Sequence, residues 1–454
     1  MIEGKSEITT IHIKKSKMRH QINTILLIGQ CTLHWGRMEF GNIGNYYILE
    51  PLVRQIHKAF PGANLQTTFQ LSDEFCAREK IQCLPMDLYY GYSGDDLEST
   101  KKELKLVKET LESNKSACGI SPFVDEVLKS DLVIDFSGDI WGDNANFLGK
   151  DRFEVGLLKD LIAQTLEKPT VMIAGSPGPF SNENTKSLAQ QVYRKFRVVT
   201  NRESISKELL ENEGFDVSRT YDCACPAFLF EPTHGTQSAD VVARLRNLAK
   251  GKPIVGLVVC GWNFSSGPFD KWPREGDEFV AFANIAKALL DQEAFVVCMS
   301  HSNGFDVPPS PFRLKQGRDF PIAQRVFEIT KNKLKNPNLY LLEDILLPGE
   351  IKSVIGALDF LISGRVHAAV AGMSQAVPTA ILDYGHEPKA HKLRGFAKCV
   401  RMDRCVIDPS SPSAPHSISN LFSNRKQIQK ELKNEIPNVK KLAIENFNII
   451  KNSL

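Results

Sequence analysis

The sequence has no CxxC pair and no regular spacing among its ten cysteines, so neither a zinc ribbon nor a disulfide framework is expected. Several cysteines lie inside apolar, strand-like runs, as small core residues do in a reducing compartment. Examples are Cys260 after Val258 and Val259, and Cys298 after Val297. Cys223 and Cys225 form the one close pair, and a CxC pair alone does not indicate a metal site. We therefore expect no bound metal.

Long apolar runs are also absent. No run reaches the about 18–20 residues that span a bilayer. Residues 1–23 are interrupted by Lys14, Lys15, Lys17 and Arg19, where a secretory signal would be apolar. These features predict a cytoplasmic protein with a basic N-terminal extension over residues 1–23. Residues 424–454 are also rich in Lys and Arg, and basic ends can touch an anionic membrane surface, although solvated tails are the simpler interpretation.

Neither sign of charge dominates the sequence. The 454 residues include 56 Lys and Arg against 53 Asp and Glu, a net charge of +3. That balance argues against a dedicated nucleic-acid binder, so no nucleic-acid partner is expected. A composition with 42% hydrophobic and 24% charged residues is ordinary for a globular protein, and the length is sufficient for two cores.

Short β-branched runs alternate with amphipathic segments along the whole chain, a pattern typical of parallel α/β architecture. The predicted strands are Thr24–Gly29, Leu132–Gly138, Thr170–Gly175, Phe196–Thr200, Ile254–Cys260, Ala294–His301, Asn338–Leu342, Phe360–Ser363 and Thr379–Asp383. The stretch 230–239 has no periodicity and carries Pro, Gly and small polar residues. It is therefore interpreted as a linker between two domains.

We predict two doubly wound, Rossmann-like domains that face each other. The first domain covers residues 24–230, on the acceptor side, and the second covers residues 240–415, on the donor side. Residues 416–454 are predicted to form a helical segment that breaks at Pro437 and crosses back. This architecture is that of GT-B-type transferases. Ligands of open α/β sheets bind at the carboxyl ends of the strands, so functional residues are expected in the loops that follow them.

Three loops of the first domain follow predicted strands and carry small or acidic residues. Gly41 and Gly44 lead through Asn45 into a helix, so backbone amides can approach an anion, although a plain tight turn explains the spacing equally well. Asp139 and Asp143 lie at the end of the next strand, where carboxylates can hold sugar hydroxyls, act as a base or bind a metal. The third is the Gly- and Pro-rich loop around Ser176, which is expected to expose backbone amides at the same edge.

Basic residues follow other predicted strands. Thr200 and Glu203 have capping-box spacing, which predicts Arg202 in the first turn of a helix. There its planar guanidinium can bind a carboxylate or a phosphate, and an ordinary surface arginine is the alternative. Arg365 and His367 follow Gly364 at the end of a strand and the start of a helix.

Small apolar residues follow His367, an unusual setting for a core histidine, although a satisfied core histidine is the alternative. Lys389 and Lys392 follow the next strand. Cations therefore face carboxylates across the two domain edges, which predicts a ligand that includes a multiply charged anion.

In this order, these residues resemble the polysaccharide pyruvyl transferase family. The resemblance covers about residues 24–400 and is most specific from Glu350-Ile-Lys352 through Arg365-Val-His367 to Pro378, with Lys392 in a His-Lys-x-x-Gly setting. It implies that the enolpyruvyl unit of phosphoenolpyruvate is transferred to two sugar hydroxyls, giving a cyclic ketal and free phosphate. Phosphoenolpyruvate is then a co-substrate, no cofactor is expected, and the acceptor is a glycan or a lipid-linked sugar.

The resemblance also implies roles for individual residues. His367 would protonate C3 of the donor, and Asp139 or Asp143 would accept a hydroxyl proton. Arg202, Arg365 and Lys392 would clamp the anionic donor, with Lys389 as the alternative lysine because the stretch after residue 384 is longer than usual. The remaining substrate-binding candidates are Gly41, Gly44, Asn45 and Ser176. Asn45 departs from the family pattern, in which Asp is common.

Two other functions remain open. A nucleotide-sugar glycosyltransferase of GT-B fold would also place basic residues on a diphosphate, and Glu343, Asp344 and Glu387 are its only candidates for a ribose contact. A non-catalytic glycan-binding protein is compatible with the same fold. Such a protein would not need Arg202, Arg365, His367 and Lys392 together.

Overall fold

A computed structural model describes residues 21–30, 36–385 and 390–454. Most of the predicted N-terminal extension lies outside the described residues, and so does Lys389. No helix in these three stretches is long and apolar enough to cross a membrane.

Seven parallel strands form the sheet of the first domain, and their order is β3-β2-β1-β4-β5-β6-β7. The order reverses between β1 and β4, which is where ligands of such sheets bind. The strands are β1 (Thr24–Ile28), β2 (Asn64–Thr67), β3 (Ile81–Cys83), β4 (Leu132–Asp135), β5 (Thr170–Gly175), β6 (Val198–Asn201) and β7 (Thr220–Asp222). The helices are α1 (Ile43–Ala59), α2 (Asp73–Glu79), α3 (Asp96–Glu112), α4 (Pro122–Lys129), α5 (Arg152–Thr165), α6 (Glu183–Tyr193) and α7 (Ile205–Asn212).

The second domain has a six-stranded parallel sheet in the order β12-β9-β8-β13-β14-β15 and a separate antiparallel hairpin, β10-β11. Its strands are β8 (Ile254–Val258), β9 (Phe295–Cys298), β10 (Asn303–Phe305), β11 (Leu314–Gln316), β12 (Leu339–Leu341), β13 (Phe360–Ser363), β14 (Thr379–Leu382) and β15 (Val406–Ile407). Its helices are α8 (Thr236–Ala249), α9 (Val280–Leu290), α10 (Phe320–Leu334), α11 (Pro348–Gly356), α12 (Val366–Met373) and α13 (His391–Cys399). Helix α8 begins inside the segment that the sequence suggested as a linker.

The last two helices, α14 (Ala414–Ser423) and α15 (Arg425–Ser453), follow the second domain, and α15 returns to the first. The buried Asn446 amide of α15 donates to the carbonyl of Ala224 at 2.8 Å. The predicted break at Pro437 is wrong, because α15 runs through that residue. Pro437 is exposed, whereas apolar residues on either side of it, such as Leu432 and Val439, are buried. This packing on both sides keeps the helix continuous, although proline has no backbone N–H to donate a helical hydrogen bond.

The predicted fold class is confirmed, since two parallel α/β sheets form two domains with a terminal helix that crosses back. One hydrophobic core extends across both domains and includes Tyr47 of α1, Phe228 and Ala369 of α12. Helix α1 packs directly against α12. The carboxyl edges of the two sheets are thereby held next to each other.

Two carboxyl groups are buried beneath the carboxyl edge of the first sheet. Asp135 ends β4 and Asp160 lies in α5, and each is 1% exposed. Burial raises the pKa of Asp135 to about 7. Burial, and then the neighbouring Asp135 carboxylate, raise the pKa of Asp160 well above its usual range. Neither oxygen of Asp160 has a hydrogen-bond partner among the described residues.

These raised pKa values predict a pH dependence of stability. A carboxyl whose folded pKa lies above its unfolded pKa contributes stability that is fully present below the unfolded pKa and is lost as the pH rises toward the folded pKa, which is about 7 for Asp135. Asp160→Asn should therefore raise the melting temperature by at least about 2 °C near pH 8, and by less near pH 5. Asp95→Asn, at an exposed carboxylate before α3, is the control. Equal shifts at both pH values in thermal unfolding would contradict the interpretation.

Candidate active site

A cavity of about 190 Å³ lies between the carboxyl edges of the two sheets. Both domains contribute side chains to its wall, so neither domain alone forms it. Of the predicted site residues, those that line it are Asn45, Asp139, Arg202, Arg365, His367 and Lys392. The cavity is also lined by residues that the sequence did not single out for the site, including His301 and Arg318.

His367 lies where the first turns of two helices meet. Helix α12 begins at Val366, and α1 begins at Ile43, so His367 and Gly44 are both first-turn residues. A Cβ atom added at Gly44 would come within 2.4 Å of the His367 Nδ1 atom. Glycine is required there by the close approach of the two helices, because any side chain would displace the imidazole.

The surroundings of His367 keep its imidazole neutral in this structure. Burial, and then the positive charge of Arg202, hold the pKa of His367 well below its usual range. His301 and Lys392 act in the same direction, while the Asp139 carboxylate opposes them. An anion bound in the cavity would reverse this balance and favour the protonated ring.

Asp139 accepts from a cation of each domain. Its Oδ1 lies 3.5 Å from Nη2 of Arg202, and its Oδ2 forms an ion pair with Nζ of Lys392 on α13. The Arg202 guanidinium is held in turn by Ser176, whose hydroxyl accepts from Nε at 2.9 Å. Ser176 therefore positions Arg202 from behind and does not line the cavity.

Arg202 precedes helix α7 and does not lie in its first turn, so that prediction is wrong. The Glu203 carboxylate accepts from the backbone amides of Ile205 at 2.7 Å and Ser206 at 3.2 Å, which starts the helix at Ile205. Thr200 ends up in β6, where its hydroxyl accepts from the Ala174 amide. The local cap thus leaves Arg202 in the loop that faces the cavity.

Arg365 is neutralised by a buried carboxylate. Its Nε and Nη2 donate to the two oxygens of Asp319 at 2.9 and 2.5 Å, and both residues are buried. Arg318, the preceding neighbour of Asp319, is exposed and lies over the Phe269 ring at 5.0 Å from its centroid. No carboxylate forms an ion pair with Arg318 within the described part of the chain.

His301 is buried in the cavity wall after β9, with 0% exposure. Neither ring nitrogen has a hydrogen-bond partner among the residues described. Burial, and then the charge of Arg365, lower the pKa of His301 to about 3. Because His301 ends a predicted strand, the sequence could have indicated it as a site residue. Arg318 follows the β10-β11 hairpin, which the sequence did not predict.

Three other predicted site residues lie outside the cavity wall. Oδ2 of Asp143 accepts from the backbone amides of Ser181 at 2.6 Å and Asn182 at 2.8 Å, so this carboxylate fastens the loop before α6. Gly41 ends the short 3-10 turn Met38–Phe40. Gly44 contacts His367 without lining the cavity. Asn45 does line it, with its amide donating to the Met38 carbonyl at 3.0 Å.

Comparison with known proteins adds a family and a fold. Residues 42–386 match the sequence profile of the family described as "Polysaccharide pyruvyl transferase". The amylovoran biosynthesis protein AmsJ of Erwinia amylovora is 22% identical over 426 residues, covering 90% of this chain and 94% of that protein.

Solved structures with the same fold have little sequence in common with this chain. The UDP-GlcNAc 2-epimerase of Neisseria meningitidis, bound to UDP-GlcNAc, has a TM-score of 0.51 at 12% identity and covers 94% of this chain and 99% of its own. The trehalose-6-phosphate phosphatase N-terminal domain of Candida albicans has a TM-score of 0.52 at 10% identity, covering 97% and 99%. These likenesses show the fold alone, which is of the GT-B type.

The close approach at Gly44 predicts an unusual cost for a helical Gly→Ala substitution. Such a change normally favours a helix, but Gly44→Ala should destabilise the protein by about 1–3 kcal/mol because the methyl group overlaps His367. The control is Gly276→Ala, whose added Cβ meets nothing closer than 3.7 Å. Chemical unfolding measures both, and equal free energies of unfolding for the two variants would contradict the proposed contact.

Proposed function

Because the chain belongs to the polysaccharide pyruvyl transferase family, we propose that it uses phosphoenolpyruvate as the donor of an enolpyruvyl group. The acceptor is a sugar of a surface polysaccharide or exopolysaccharide, or of its precursor, and two of its hydroxyls become a cyclic pyruvate ketal. Phosphate is released. The observation that carries the proposal is the small interdomain cavity, in which guanidinium and ammonium groups converge on His367.

The charge in and beside the cavity suits a small, highly charged anion. Four cations, Arg202, Lys392, Arg318 and Arg365, are set against the two carboxylates Asp139 and Asp319. Two positive charges are thus left for a ligand. Phosphoenolpyruvate carries a carboxylate and a phosphate on three carbons, so it can meet cations at both of its ends.

Proton transfer to C3 is the step assigned to His367. Attack on C2 by a hydroxyl requires that the C3 methylene takes up a proton, because only then is C2 electrophilic. The bound donor would raise the lowered pKa of His367 and charge the ring. A positioned acid of this kind typically contributes a factor of about 10²–10⁴ in rate.

Asp139 is the proposed base for the attacking hydroxyl. Its carboxylate is paired with Lys392 and Arg202 in this structure. Donor oxygens that compete for these two cations would release the carboxylate to accept a proton. Asp143 is held by backbone amides away from the cavity, so the role considered for either aspartate is assigned to Asp139.

The acceptor is proposed to enter from the first domain, where Asn45 lines the cavity. A glycan precursor on a lipid carrier would bring the protein to a membrane surface, where the basic ends of the chain can contact an anionic leaflet. The proposed location is the cytoplasm, where phosphoenolpyruvate is made available by metabolism.

Ligand binding separates this proposal from a nucleotide-sugar glycosyltransferase. A ligand that binds only the folded state raises its stability by mass action. Phosphoenolpyruvate at about 100 times its Kd should therefore stabilise the protein by about 2.7 kcal/mol. UDP and UDP-sugars at equal concentration should cause no shift. Thermal unfolding with both ligand sets is the measurement, and a shift with the nucleotides alone would favour the glycosyltransferase.

Substitution of His367 tests its role as the acid. His367→Asn keeps hydrogen-bonding capacity and removes the titratable proton, so kcat should fall at least about 100-fold. The Kd for phosphoenolpyruvate should change little. His234→Asn is a matched control, because His234 is exposed and hydrogen-bonded to Ser353 outside the cavity. Phosphate release and isothermal calorimetry supply the two readouts, and normal turnover at saturation with weakened binding would make His367 a binding residue only.

A further inference from the structure

Arg318 and His301 line the cavity but have no part in the Arg202–Asp139–Lys392 cluster. We propose that these two residues form the subsite for the phosphate of the donor, and that His301 gives the departing phosphate its proton. This inference rests on the proposed function, because the phosphate is that of phosphoenolpyruvate.

The two histidines of the cavity lie in different charge environments. The charges that act on His367 are chiefly those of Arg202 and Asp139, followed by those of His301 and Lys392. The charges that act on His301 and Arg318 are chiefly those of Arg365 and Asp319. The ion pairs divide in the same way, because Arg202 and Lys392 pair with Asp139 at the domain junction whereas Arg365 pairs with Asp319 within the second domain. The cavity therefore has two basic ends. A donor with two anionic groups can place one group at each end.

Among the described residues, no other residue forms a hydrogen bond with either ring nitrogen of His301. A neutral imidazole has one donor and one acceptor, and a buried polar group left without a partner costs about 1–3 kcal/mol. The ring stands edge-on to Tyr47, with centroids 5.5 Å apart, which fixes its orientation in the wall. A ligand oxygen in the cavity would satisfy the ring.

Arg318 supplies the charge that this subsite needs. The Arg365 guanidinium already donates to both carboxylate oxygens of Asp319. Arg365 therefore serves more to hold the geometry of the site than to bind the ligand. Arg318 makes its contact to the face of Phe269 and forms no ion pair in the described ranges, so its donors are available to phosphate oxygens. Arginine recognises phosphate through several parallel hydrogen bonds.

Ketal formation bonds two hydroxyl oxygens to C2, and the proton of each hydroxyl needs a destination. One hydroxyl proton ends on C3, where the methylene becomes a methyl group. The bond between C2 and the bridging oxygen breaks with its electron pair leaving on phosphate, and the second proton ends on that phosphate. A donor with three negative charges thus gives a ketal carboxylate with one and hydrogenphosphate with two, with no further reactant. His367 serves as the acid at C3. At the other end, the charge of the bound phosphate would raise the lowered pKa of His301, so this ring can take up the proton of the second hydroxyl and pass it to the departing phosphate.

Single-turnover experiments on the full-length chain with phosphoenolpyruvate and acceptor test the role of His301. His301→Gln keeps a hydrogen-bond donor without a titratable proton, so kcat should fall at least about 100-fold. Addition to C2 stays intact, so an adduct of acceptor and donor that still carries phosphate should accumulate in mass spectra of quenched samples. His234→Gln should show neither effect.

Binding of inorganic phosphate tests the subsite itself. Arg318→Ala should weaken phosphate binding at least about 10-fold in calorimetry and should also let the phosphate-bearing adduct accumulate. Arg318 is exposed, so this variant keeps the test valid if His301→Gln does not fold. Arg313→Ala removes the same charge from the same segment outside the cavity, and should bind phosphate like the wild type.

The outcomes separate this inference from the proposed function. Turnover by the wild type together with normal turnover by His301→Gln would overturn the inference and leave the function standing. Unchanged phosphate binding in Arg318→Ala would overturn the subsite in the same way. If phosphate binds through Arg318 but the wild type never consumes phosphoenolpyruvate, the proposed function fails, and the proton-donor role fails with it.

Discussion

The contact between the first turns of α1 and α12 is the constraint on which the rest of the site depends. Gly44 lets the two helices approach so closely that the His367 imidazole packs against the backbone of α1, and no larger residue fits at position 44. Each helix contributes the positive end of its dipole at that point. The same contact brings the carboxyl edges of the two sheets together, so the cavity, its charge and the lowered pKa of His367 share one structural cause.

Ion pairs across the junction of the two domains hold the unliganded site in a state that an anionic ligand can alter. Asp139 neutralises a cation from each domain, while the Asp319 carboxylate holds Arg365 within the second domain. An anionic donor competes with Asp139 for its partners, and in doing so frees a base and raises the pKa of an acid. In this account the donor itself converts the paired resting state into the reactive one.

The fold class could be predicted from the sequence because central strands are buried on both faces and leave continuous apolar runs. The strands β2, β3, β7 and β15 and the hairpin β10-β11 were missed, because their two to four residues carry no clear period. Arg202 was correctly predicted to follow a strand, but the start of the next helix was predicted too early. The sequence suggested a cap by the Thr200 hydroxyl, whereas the Glu203 carboxylate caps the helix. Arg318 follows a hairpin that the sequence did not indicate, and its aromatic neighbour Phe269 is distant in sequence, so only the tertiary structure could place it in the cavity.

A structure of the protein with phosphoenolpyruvate bound tests the central claim most directly. The account predicts one donor molecule in the interdomain cavity, in contact with residues of both domains and with C3 facing His367. Its phosphate should lie against Arg318 and His301, and its carboxylate toward Arg202 and Lys392. A cavity that stays empty at saturating phosphoenolpyruvate, or a donor bound by one domain away from His367, would contradict the account.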